Sequence, residues 1–166
     1  MSAENNSVVE YGATEEAVLS FMHSLDCSCS LPTLIARLRR AIEAEDFWVL
    51  HEIDPQALLS RGGFSISPAR QILFFHPRFM ARLLTAHPAA LLEAPLKFGI
   101  LELPDTHVTL RWIDPATAFA RYGNAALSDL GRELAEACEN IATAALAPQA
   151  AIGAQSFPMA GHNGSP

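Results

Sequence analysis

Lysine is almost missing. Lys97 stands alone beside ten arginines, and the eleven basic residues are outnumbered by eighteen acidic ones. A formal charge of -7 without a basic stripe excludes the electrostatic footprint of a nucleic-acid binder. Hydrophobic runs are short. None approaches the roughly eighteen uninterrupted apolar residues of a membrane-crossing helix. The opening MSAENNSVVE carries neither a basic nor an apolar stretch, so a secretory leader is not read there. That favours the cytoplasm, or the periplasm where a leader has been removed.

Cysteine is scarce too: Cys27, Cys29 and Cys138. An odd, small number argues against a disulfide framework. Cys27 and Cys29 flank one residue, which is expected to be too tight for an easy bridge, since relaxed disulfides place alpha-carbons about 5.5 Å apart. Paired C-x-x-C for zinc and C-x-x-C-H for haem attachment are absent,. So are G-x-S-x-G, a phosphate-cradling glycine loop and a nucleophile with an evident base,.

What remains is a chain of 166 residues that is 50% apolar, enough for one domain with a real core. Residues 1–14 are polar and expected to be flexible. Residues 15–147 read as one α/β domain. Residues 148–166, rich in Pro, Gly, Ala and Ser, read as a disordered tail, with His162 solvated in it.

Inside the domain, residues 17–26 read as a first strand. Ser30 can cap a helix with Pro32 in its first turn. Leu31, Leu34, Ile35, Leu38, Ala41 and Ile42 then recur at helical spacing,. FWVLHEID (47–54) reads as a strand stopped by Pro55, with a short helical piece before Gly62-Gly63. QILFFH (71–76) reads as a buried strand. Pro77 opens a helix carrying Phe79, Met80, Leu83 and Leu84, which stops near His87-Pro88. LKFGILEL (96–103) and HVTLRWI (107–113) predict a hairpin around Pro104-Asp105-Thr106. Asp54 and Asp114, each before a proline, read as turn residues. The last helix aligns Leu127, Leu130, Leu134, Cys138, Ile141 and Ala145, which makes Cys138 a core residue.

Several landmarks occur in order: Glu52-Ile53-Asp54 ending a strand, His76-Pro77 ending another, Ala94-Pro95-Leu96-Lys97 opening a third, and Asp114-Pro115 before the final amphipathic helix. In this the chain resembles family 302 of the domains of unknown function over roughly residues 17–146. The resemblance implies an α+β two-layer sandwich, a mainly antiparallel sheet with helices packed on one face, and a tendency to dimerise. It implies no agreed activity. The chain departs from the family pattern at His76, where Asn is usual, and at Trp112-Ile113.

Side chains alternate between the faces of a strand. On 71–76, Leu73 and Phe75 oppose Ile72, Phe74 and His76. On 47–54, Phe47, Val49, His51 and Ile53 oppose Trp48, Leu50, Glu52 and Asp54. Both faces are apolar, yet helices cover one. Each large apolar side chain left in water forgoes about 1.5–3 kcal/mol, so the second face predicts a homodimer, an apolar ligand pocket, or both at one interface.

A histidine is ordinarily a surface or hydrogen-bonded residue. His107 is expected to be exposed, and His87 to satisfy carbonyls at a helix end. His76 and His51 interrupt apolar strands, and Pro77 holds His76 extended. A neutral imidazole there can ligate a metal, and His23 could join it, but no spacing supports a three-ligand zinc site. Haem b fits one such histidine better. His76 is then the first candidate axial ligand and His51 the second. Phe74, Phe75, Phe79 and Met80 would form the wall, and Arg78, Arg82, Arg111 and Lys97 would meet propionates. Two other readings stand beside it. One is a cofactor-free homodimeric interaction module in which His76 caps a strand. The other is a small enzyme using Lys97, Glu52 and Asp54 in one cleft.

Overall fold

The structure is a computed structural model that describes residues 7–11, 19–103 and 107–148. The elements follow in order as β1 (Ser7–Val8), β2 (Met22–Cys27), α1 (Leu31–Ala44), β3 (Trp48–Ile53), α2 (Pro55–Arg61), β4 (Phe64–Ser65) and β5 (Ala69–Phe75). After these come α3 (Pro77–Ala86), a 3₁₀ turn (Pro88–Glu93), β6 (Leu96–Glu102), β7 (Val108–Ile113), α4 (Pro115–Ala120) and α5 (Ala125–Leu146). The main sheet is antiparallel with strand order β2-β7-β6-β5-β3, and helices stand beside it. The expected α+β sandwich is what the chain forms. Of the strand expected over 17–26, the described part runs from Met22 to Cys27. Ser7 and Val8, expected to be loose, pair in parallel with Phe64 and Ser65. The hairpin turn at 104–106, most of the N-terminal stretch and the 149–166 tail lie outside the described residues.

Helix starts follow one local rule. Ser30, Asp54, His76, Asp114 and Asn124 each sit extended before a helix and accept a hydrogen bond from a backbone N–H of its first turn. Four of those helices place proline in the first turn, where its fixed φ and missing donor cost nothing. Asp54 and Asp114 are thus caps rather than turn residues, because a carboxylate reaches orphan amides as readily as it stabilises a turn. His87 also departs from expectation. It accepts from Ala89 N at 3.3 Å, opening the 3₁₀ turn, instead of donating to carbonyls.

Register identifies the two faces of the sheet. Ile72 lies opposite Phe98, Phe74 opposite Leu96, and Ile100 opposite Leu110. These side chains are buried in one cluster with Leu34, Leu38 and Ile42 of α1 and Leu134, Cys138 and Ile141 of α5. Lys97 pairs with Leu73 and Gly99 with both Gln71 and Arg111, so this second set points the other way. Strict alternation fails on β3, where the register slips between Val49 and His51. A bulge inserts one unpaired residue and inverts everything after it. Val49 therefore shares the helix-covered face with Glu52, while Trp48, His51 and Ile53 share the other.

Helices α4 and α5 cross tightly at Gly131. A β-carbon there would meet Pro115 O and Phe119 Cβ, both at 2.9 Å. Gly131→Ala should therefore destabilise the fold by about 1–2 kcal/mol. Overpacking costs about 1–3 kcal/mol, and the better helix propensity of Ala returns about 1 at most. Urea unfolding of the purified variant measures this, and an unchanged or higher midpoint would contradict the close crossing.

Candidate ligand cavity

Strands β6 and β7 begin to part halfway along. Gly99 to Glu102 pair with Arg111 to Val108, and the ladder stops there, so Leu96–Phe98 and Trp112–Ile113 are not bonded to each other. A cavity of about 310 Å³ occupies this end of the sheet. Its walls combine Leu96 and Trp112 from the helix-covered side with Lys97, Gly99 and Arg111 from the other, and Phe119 and Cys138 beyond them. Phe21, Leu92 and Ile113 also line it. They are 46%, 87% and 56% exposed, a concentration of large apolar groups in water that single scattered residues would not form.

Gly99 makes room for the cavity. A β-carbon added there would find only Arg111 O, at 3.8 Å, so space rather than backbone strain is what the missing side chain provides. Around that space stand three donors. Lys97 is exposed and Arg111 half-buried. Among the described residues neither pairs with a carboxylate, and Arg111 Nε is buried without a hydrogen-bond partner. Trp112 is 5% exposed, and its Nε1 also lacks a partner. Buried donors without acceptors cost about 1–3 kcal/mol each. Arg111 Nε lies on the sheet face that carries the unpaired Lys97, and Trp112 Nε1 on the helix-covered face,.

The anionic groups near the cavity are already engaged. Glu93 accepts from Arg121 Nη2 and from Tyr122 Oη, both at 2.9 Å. The Glu93 hydrogen bond and burial push the Tyr122 hydroxyl up. Burial, together with the charges of Asp114 and Glu139, pushes the Cys138 thiol up to about 12. It meets the cavity as a neutral, soft apolar group. Asp114 supports the wall from behind. Its oxygens accept from Ala116 N at 3.2 Å and Thr117 N at 3.0 Å, fixing α4 and thereby Ala118 and Phe119. His23 lies 3.9 Å from Asp114 and stacks on Trp112 at 4.8 Å. Burial alone would raise the Asp114 carboxyl. The Thr117 hydroxyl, the two amides and His23 outweigh it and hold the group below its ordinary range.

The structure thus joins Lys97 and Arg111 but separates the other sequence candidates. Phe74, Phe75 and Phe79 are at most 2% exposed, and their rings pack in the core with Phe47 and Phe98. Met80 packs on that core. Arg78 pairs with Asp46, and Arg82 with Glu133 at 2.7 Å. Both guanidiniums also lie over the Phe79 ring. His76 Nδ1 accepts from Arg78 N at 3.1 Å. That nitrogen serves as the helix cap, so a metal bound to it would have to displace the cap. His51 is exposed on the edge strand β3. Glu52 and Asp54 are bound by Arg70, with Asp54 to Arg70 Nη2 at 2.9 Å. Glu52 and Lys97 stand opposite Ile72 and Leu73, on opposite faces of the sheet, so they share no cleft. Among the described residues no group of three or more His, Cys, Asp or Glu could hold a metal.

Trp112 and Gly99 were not legible as site residues in the sequence. A glycine within an apolar strand that also carries a lone lysine was the available signal, since such a glycine marks close approach or empty space.

The model of the family described as Domain of unknown function DUF302 matches residues 23–145. The chain is also similar to the solved structure of an uncharacterized conserved DUF302 protein from Bacillus stearothermophilus, with 17% identity and a TM-score of 0.72 over 76% of this chain and 99% of that one. No curated protein matches the chain.

Because Asp114 is held below its usual value, its contribution is complete above the ordinary carboxyl pKa of 3.8 and is lost as pH falls through the folded value,. Asp114→Ala should cost about 1 kcal/mol at neutral pH, and the gap from wild type should close in acid. Urea midpoints of both proteins at neutral and acidic pH measure it; a constant gap would refute the assignment.

Proposed function

The chain belongs to the DUF302 family, and from that premise we propose that it is a ligand-binding domain whose cavity takes a small amphiphile with an apolar body and one acidic group. The observation that carries this is the meeting of an apolar-lined cavity of about 310 Å³ with Lys97, the Arg111 Nε and the Trp112 Nε1, none of which has an acceptor among the described residues. The volume lies at the small end of ordinary ligand sites, which run about 300–1,000 Å³. An acid group would accept from Arg111 on the sheet face that also carries Lys97, whose ammonium would screen its charge. The body would lie against Leu96, Phe119 and Cys138.

Anilinonaphthalene sulfonate and a medium-chain carboxylate are suitable probes, read by dye and tryptophan fluorescence. Gly99→Val should fill the cavity without backbone collision and leave the strand at least as stable, while binding falls at least tenfold. Arg111→Gln should weaken the carboxylate about tenfold, which corresponds to about 1.4 kcal/mol, and leave the matching alcohol nearly unchanged. Undiminished binding in Gly99→Val would sink the proposal. Haem b on His76 is a different occupant, because no histidine is among the described residues that line this cavity. A Soret band in wild type that disappears in His76→Ala would move the ligand from the cavity to His76.

A homodimer is supported by a separate feature. Edge strand β3 presents Trp48 and Leu50 at 54% and 51% exposure, and an unpaired apolar edge invites another strand. Sedimentation velocity should find a dimer that Trp48→Arg dissociates; a wild-type monomer at high concentration removes the idea.

A further inference from the structure

We propose that Cys27 and Cys29 form a thiol–disulfide exchange site for dithiol substrates. The two sulfurs are bonded, across a Cα separation of 5.3 Å. The sequence expectation that they sit too close together is therefore corrected. Strand β2 ends at Cys27, and the chain turns at Ser28 before α1, which brings the pair within the usual disulfide span,.

The bridge closes a loop with a single residue inside it. Loop-closure entropy grows with loop length, so a bridge this short constrains the unfolded chain little. Stability is thus a weak reason for its presence, and chemistry is the stronger one. The surroundings are unequal. Cys27 is 7% exposed and belongs to the core, whereas Cys29 is half-buried at the surface. Cys29 N donates to Cys27 Sγ at 3.2 Å. Helix α1 starts just beyond, its first turn capped by Ser30. A backbone donor favours a thiolate.

These features give the exchange a direction. A substrate thiolate attacks Cys29 Sγ, the accessible sulfur. The Cys27–Cys29 bond breaks, and its electron pair leaves on Cys27, which the Cys29 amide stabilises and solvent protonates. The substrate is then joined to Cys29 as a mixed disulfide. Its second thiolate attacks its own bridged sulfur and expels Cys29, which takes a proton. The substrate dithiol has lost two electrons and two protons, and the cysteine pair has gained both. Cys138 is 2% exposed and stays outside the chemistry, so it serves as an internal reference.

The experiment treats the folded, air-oxidised protein with dihydrolipoate, quenches with iodoacetamide and reads intact and peptide masses. The expected result is alkylation of both Cys27 and Cys29 under native conditions, with Cys138 unlabelled. The proposal is overturned if the bridge survives until the protein is unfolded, or if both thiols alkylate without any reductant.

Discussion

Hydrogen bonding between β6 and β7 holds over one half of their length and is given up over the other. Most of what is distinctive about the molecule follows from that. A continuous ladder would have sealed the sheet, with Phe98 and Trp112 side by side as bonded neighbours. Instead their rings meet edge to face at 5.6 Å, and space opens between the strands from one sheet face to Cys138 on α5. Backbone groups released from a ladder need other partners or water.

The rest of the sheet is arranged to tolerate that opening. Helices α1 and α5 pack on each other and on the inward residues of β5 and β6, so the central strands are anchored away from the gap. Asp114 ties α4 at its first turn, and Gly131 lets α4 approach α5 closely. The Phe119 wall therefore stands on packed helices rather than on a loose segment. His23 stacks on Trp112 from the edge strand β2 and limits how far the indole can turn. Rigid surroundings leave the unpartnered donors where they are, which is the condition under which they favour an incoming acceptor.

The histidines illustrate how one local pattern admits two chemistries. His76 and His87 both precede proline, and both use Nδ1 to accept an amide from the next turn. Serine, aspartate and asparagine do the same work at the other helix starts. An imidazole at the end of an apolar strand looks like a ligand when the strand is considered alone. Considered with the helix that Pro77 opens, it is an acceptor placed two residues before a free N–H.

Most of the fold was legible in the residues. Helical spacing marked α1, α3 and α5, prolines marked where helices begin, and apolar runs marked β5, β6 and β7, because periodicity and backbone restriction act locally. The two-residue strands β1 and β4 and the short helix α4 were not legible, being too short to show a period. The candidate site was half legible: Lys97 and Arg111 stood out as cations in apolar strands, but nothing local linked them to Gly99 and Trp112. Sequence by itself determined the longer helices and strands and the prolines at which helices begin. Only the tertiary structure decided that β3 slips at its bulge and turns Glu52 away from Lys97, that Phe74 and Phe79 are sealed in the core, and that β6 and β7 part at Gly99, since register between strands depends on packing among distant residues.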